Sequence, residues 1–145
     1  MALHPIEEAT IRAFVVPSKR DRWLALFGSS KRRKQARAAL NHFADWDPRY
    51  MQELGSSANV LVHLCEAGAP LGCHIVSDNP ALDGRDLPLA EAVAAVEAYS
   101  FASVLCRLPG QLACFFDEMA APRTRILLRR PRGNSTIATE DRPGK

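Results

Sequence analysis

Cys73-His74-Ile75-Val76-Ser77-Asp78-Asn79-Pro80-Ala81-Leu82-Asp83-Gly84-Arg85-Asp86-Leu87-Pro88-Leu89 reads as a buried strand, a polar acidic loop and the start of a helix. Such junctions are where ligands settle in many α/β domains. The loop is dense in turn chemistry: Asn79-Pro80 and Asp83-Gly84 are turn pairs, and Pro88 suits the opening of a helix. Leu89, Val93 and Val96, with alanines between them, continue as a helix of about three turns.

Downstream, residues 101–108 and 112–116 read as a hairpin around Pro109-Gly110. Symmetric pairing about that turn sets Leu105 opposite Cys114 and Cys106 opposite Ala113. Both hairpin faces carry apolar residues, so its strands belong in the middle of a sheet. Residues 124–130 read as a last strand. Residues 131–145 are polar and aperiodic and are expected to form a disordered tail.

Upstream, the β-branched and aromatic run Thr10-Ile11-Arg12-Ala13-Phe14-Val15-Val16 predicts a strand ended by Pro17. Ser18, with Asp21 three residues on, predicts the cap of a short helix carrying Trp23, Leu24, Leu26 and Phe27. Gly28-Ser29-Ser30 ends it, and a second helix is expected over residues 31–43. Asp47-Pro48 starts a turn, residues 51–54 suggest a short helix, and residues 58–67, stopped by Gly68 and Pro70, have a length that suits a three-turn helix or a strand, with the Ser cap and the Gly stop favouring the helix. The expected fold class is α+β. It is a single domain over residues 1–130, with about five strands in a mixed or mainly antiparallel sheet and about four helices packed on it.

The 145 residues, 47% hydrophobic and 24% charged, suit an ordinary globular chain. No apolar run approaches the roughly 18 residues of a membrane span, and no secretory signal is evident, so a cytoplasmic location and no membrane partner are expected. Cys65, Cys73, Cys106 and Cys114 lie among apolar residues and read as buried free thiols. His63, Cys65, Cys73 and His74 have the types of a zinc set without its spacing, so neither metal nor cofactor is expected. No G-x-S-x-G, P-loop or G-x-G-x-x-G occurs, and no sequence pattern specifies a reaction.

The net charge of +3 hides a strong segregation. Residues 1–50 hold ten Lys/Arg against five Asp/Glu, residues 51–122 two against nine, and residues 123–145 seven against two. The N-terminal cations Lys19, Arg20, Arg22, Lys31, Arg32, Arg33, Lys34 and Arg37 are candidates to bind an anion. Residues 31–34 in particular put cations where a helix dipole opposes them. The leading expectation is a small non-enzymatic accessory or interaction module whose basic helical region takes an anionic partner, either nucleic acid or an acidic protein. The alternative is a small-ligand or metal-dependent, enzyme-like module built on the acidic loop 77–86, with Asp78, Asp83 and Asp86 as acid/base or metal-holding groups and Arg85 clamping an anion. Complementary charge on the ends and middle also suits self-association. Trp46, Tyr50 and Met51 are the residues to inspect for an apolar patch that marks a subunit of a larger assembly.

Overall fold

The computed structural model describes residues 3–41, 45–65, 72–118 and 123–130, so the tail expected over 131–145 lies outside the described residues. The framework is a six-stranded sheet in the order β1-β6-β5-β4-β2-β3: β1 Met51–Leu54, β2 Gly72–Ser77, β3 Asp86–Pro88, β4 Ser103–Leu108, β5 Leu112–Phe116 and β6 Arg125–Arg129. Every neighbouring pair is antiparallel. Among the described residues five α-helices pack on it: α1 Pro5–Phe14, α2 Pro17–Phe27, α3 Arg33–Ala39, α4 Ser57–Leu64 and α5 Leu89–Glu97. The α+β class is therefore as expected, with one more strand and one more helix.

The β4–β5 hairpin has the expected register, with Leu105 opposite Cys114 and Cys106 opposite Ala113. A register shift between Cys106 and Leu108 precedes the turn, where Gly110 adopts φ +69°. Side chains on a strand alternate between faces. Val104, Cys106, Ala113, Phe115, Ile126 and Leu128 therefore face α1, α2 and α3, while Leu105, Leu112, Cys114, Phe116 and Leu127 face α4 and α5. Both faces are covered, which explains why these strands carry few polar residues.

Three expectations need correction. The run 10–16 is not a strand; most of it is the second half of α1. Pro5 opens that helix, the His4 side chain accepts from the Ile6 N–H, and Glu7 and Glu8 favour its N-terminal dipole. The buried set Glu7, Thr10, Ile11, Ala13 and Phe14 has helical spacing, which overrides local β propensity. Extended backbone survives at Val15, which bridges Trp46. Residues 51–54 are not a helix but edge strand β1, paired with β6 from Met51↔Leu128 to Leu54↔Arg125. The sheet supplies there a hydrogen-bonded partner more than 70 residues away, which no local signal announces. Finally, Cys65, the residue that caps the end of α4, is exposed; the other three cysteines are buried and free.

Smaller shifts follow the same physics. Pro17 takes the first position of α2 and Val16 is its cap, so Ser18 lies inside the helix and caps nothing. The helix expected over 31–43 is a 3-10 turn, Ser30–Arg32, followed by the short α3; residues 42–44 lie outside the described set. Trp46 is buried, while Tyr50 and Met51 are half-buried against the core. Among the described residues no helix is long and apolar enough to cross a membrane.

Phe115 is fully buried beneath an aromatic group in which its ring lies 5.6 Å from Trp46, and Trp46 lies 5.1 Å from Trp23. Phe115→Ala is expected to lower unfolding free energy by about 3–5 kcal/mol, read from urea midpoints at unchanged m-value.

Candidate functional site

On the α1–α3 face of the sheet, β2 presents Val76 to the core and, two residues earlier, His74. The helical phase of α1 turns Glu7 toward the same place, and both side chains are almost fully buried, at 3% and 4% exposed. Each ring nitrogen of His74 meets a carboxylate: Nε2 lies 2.8 Å from Glu7 Oε2 and Nδ1 lies 3.0 Å from Asp86 Oδ1. Arg33, the first residue of α3, completes the group. Its Nη1 and Nη2 donate to the two oxygens of Glu7 at 2.7 and 2.9 Å. Its Nε and Nη2 donate to the two oxygens of Asp83 at 2.8 and 2.9 Å. The Arg33 guanidinium also lies 5.2 Å from the centre of the Phe27 ring. A chain of charged hydrogen bonds thus runs Asp86–His74–Glu7–Arg33–Asp83, tying α1, α3, β2, β3 and the intervening loop together.

The loop holds its shape through its own turn chemistry. The Asn79 side chain accepts from the Ala81 N–H at 3.0 Å, and the Ser77 hydroxyl accepts from the Asn79 N–H at 3.0 Å. Gly84 takes φ +80°, a conformation that suits glycine. This brings Asp83 Oδ1 within 3.1 Å of the Ser77 N–H and turns its carboxylate toward Arg33.

Burial alone would raise the Glu7 carboxyl, but the hydrogen bonds and charges of His74 and Arg33 outweigh it and hold the group at about 2. Burial also works against the charged form of His74, and the bonds and charges of Glu7 and Asp86 outweigh that too, raising it above the ordinary histidine value. Arg33, likewise opposed by burial, is raised by Glu7 and Asp83. Burial pushes the Cys73 thiol up to about 12 and the Cys106 thiol higher still, so neither is an activated nucleophile.

An open cleft of about 370 Å³ lies over this network, lined among others by His4, Glu7, Ser29, Arg33, His74 and Asp83. His4 stacks on His74 with ring centres 4.2 Å apart. A second cleft of about 280 Å³, on the other flank of His74, includes Asp86, Cys73 and Arg107. The network has little capacity left for a ligand. Both oxygens of Glu7, both oxygens of Asp83 and both nitrogens of His74 already have partners.

The acidic-loop residues separate. Asp83 and Asp86 join the network at opposite ends, while Asp78 and Arg85 form no side-chain hydrogen bond or ion pair among the described residues. Asp86 sits in β3 and does not cap α5, whose cap is Pro88. No group of three His, Cys, Asp or Glu among the described residues is placed to hold a metal ion, and His63 and Cys65 belong to α4 and its end. Of the eight basic candidates, Arg33 is drawn inward. Arg20 is half-buried and donates to the Val15 carbonyl at 3.3 Å, and Arg37 is half-buried. Lys19, Arg22, Lys31, Arg32 and Lys34 are exposed. Arg22 and Arg32 line one groove of about 260 Å³ between α2 and α3, over Leu26 and Ala39.

Sequence reasoning missed Glu7 and considered His74 only within a zinc-type set whose spacing fails. The signal for Glu7 was its phase: with Thr10, Ile11 and Phe14 it shares the buried side of one helix, where a carboxylate requires partners. Reading residues 10–16 as a strand concealed that phase. No protein-family model, curated protein or solved structure matches the chain.

The sign of the acid dependence follows from Glu7. Its folded value lies below the unfolded carboxylate value of about 4.3, so its contribution to stability is full above that value and is lost as pH falls toward about 2. Urea midpoints measured between pH 2 and pH 5 should therefore rise steeply in the wild type and markedly less in Glu7→Gln; parallel profiles would show that Glu7 does not carry the acid limb.

Proposed function

We propose that the chain is a small, non-enzymatic interaction module that takes an anionic partner, nucleic acid or an acidic protein, on the exposed side of α2 and the start of α3. The observation that supports this reading is a contrast in pairing. Arg12, Arg33, Arg49, Arg123 and Arg125 each form an ion pair with a carboxylate. Lys19, Arg22, Lys31, Arg32 and Lys34 are exposed and form none among the described residues. Charges that make no internal ion pair are available to neutralise phosphates or carboxylates of a partner; the one side-chain hydrogen bond among them, Arg32 Nε to Gln35 Oε1 at 3.1 Å, is to a neutral amide. The macrodipole argument carries less weight, because α3 begins at Arg33 and that cation is compensated by two carboxylates. The chain would act in the cytoplasm, where buried free thiols such as Cys73, Cys106 and Cys114 remain reduced. The segregated charge would also steer self-association.

A second reading keeps the loop 77–86 as a small-ligand or metal-dependent site, with the cleft over Asp83 and His74 as its support. Added Mg²⁺ or Ca²⁺ would then raise the melting temperature, and an unchanged value would end that reading.

Fluorescence anisotropy at low salt, with labelled duplex DNA, single-stranded RNA and a polyglutamate peptide, tests the leading proposal. Binding should weaken as salt rises, and Lys31→Glu, Arg32→Glu and Lys34→Glu together should weaken it roughly tenfold or more. Absence of binding to all three probes, or binding indifferent to the triple reversal, would overturn the proposal.

A further inference from the structure

A carboxylate oxygen only accepts hydrogen bonds, and a neutral imidazole carries a single N–H. His74 nevertheless meets a carboxylate at both ring nitrogens, at 2.8 and 3.0 Å. The two contacts coexist only when the ring is an imidazolium. The acceptors are also unequal. Glu7 is buried and tied through both oxygens to Arg33, whereas the Asp86 side chain is 69% exposed and is held by this contact. A neutral ring would keep its proton on Nε2, toward Glu7, and Asp86 would turn to water.

We propose that His74 is a proton-operated latch on the edge strand β3: the charged ring pins Asp86 to the sheet, and the neutral ring releases β3 while α1 stays docked. The geometry suits such a device. β3 has three residues and one neighbour, and His74 and Asp86 face each other in the β2–β3 register itself. The pairing continues past that point through the Ile75 N–H, which donates to the Arg85 carbonyl at 2.8 Å. A strand so short at a sheet edge depends on each such contact.

The groups around the ring fit the same account. From the start of α1, His4 stacks on His74, and its Nδ1 accepts from the Ile6 N–H at 3.3 Å. From α3, Arg33 lies behind Glu7, and Asp83 of the loop lies behind Arg33. From β2 and β4, Cys73, Cys106 and Arg107 share the second cleft with the ring, and burial keeps both thiols neutral. Because the folded value of His74 is raised, the latch contributes fully below the unfolded imidazole value of about 6.5 and is lost as pH rises through the folded value. Lys19, Arg22, Lys31, Arg32 and Lys34 make no bond to the ring, so the latch does not depend on an anionic partner bound to those exposed cations.

Nitrogen-15 NMR of the imidazole rings, with amide exchange of Ile75 as the readout of β3, tests the latch in the full chain. At about pH 6.5 both His74 nitrogens should show imidazolium shifts. As pH rises, the neutral ring should carry its proton on Nε2, and the Ile75 protection factor, corrected for intrinsic exchange, should fall about tenfold at the same midpoint. Asp86→Ala, which removes an exposed carboxylate, should show low Ile75 protection throughout and a lower His74 midpoint. A ring neutral at about pH 6.5, a neutral ring protonated on Nδ1, or Ile75 protection that ignores the His74 midpoint would each overturn the proposal. Should Asp86→Ala fail to fold, the wild-type titration alone decides.

Discussion

Glu7 cannot sit where α1 puts it without cations. The helix turns this carboxylate into the interior with Ile11 and Phe14, and an unpaired charge there would cost several kcal/mol. Arg33 and His74 meet it from α3 and β2, and each is held in turn by a second carboxylate, Asp83 or Asp86. Buried ion pairs gain little over well-packed apolar residues, but removing one partner leaves an uncompensated charge. The network therefore acts chiefly by selecting an arrangement: α1, α3 and the β2–β3 loop must dock together. The aromatic group around Trp23, Trp46 and Phe115 supplies the apolar burial beside it on the same face of the sheet.

This division of labour bears on the charge segregation along the chain. Arg33 sits within a run of four cations, yet it alone of that run turns inward to carboxylates, while Lys31, Arg32 and Lys34 stay exposed. The acidic middle of the chain divides in the same way: Asp83 and Asp86 are drawn into the network, and Asp78 is left out of it. Attraction between the basic start and the acidic middle is thus spent partly within the fold. What remains outside it is a smaller, better defined basic surface on α2 and the start of α3, with Arg22 and Arg32 facing one groove.

Local signals explain which parts were legible in the sequence. The β4–β5 hairpin was, because two short apolar runs flank Pro109-Gly110 and the turn sets their register within about fifteen residues. The loop 78–84 was legible as turns for the same reason. Its side-chain partners were not, since Asp83 reaches back 50 residues to Arg33 and His74 reaches back 67 residues to Glu7. The run 10–16 misled because its composition favours a strand, whereas the helical period emerges only with Pro5, Glu7 and Glu8 included. β1 was hidden because its identity comes from β6, which offers an open edge for Met51–Leu54 to complete.

Glu7 and Arg33, joined by two hydrogen bonds at 2.7 and 2.9 Å, should form an energetically coupled pair that docks α1 against α3. A double-mutant cycle with Glu7→Gln, Arg33→Met and the double variant, followed by urea unfolding at neutral pH, measures that coupling directly. The account predicts single-variant losses of about 3–5 kcal/mol and a double variant well short of their sum, for a coupling of at least about 1.5 kcal/mol. Losses that add within about 0.5 kcal/mol would contradict it, and the two residues would then be neighbours without being partners.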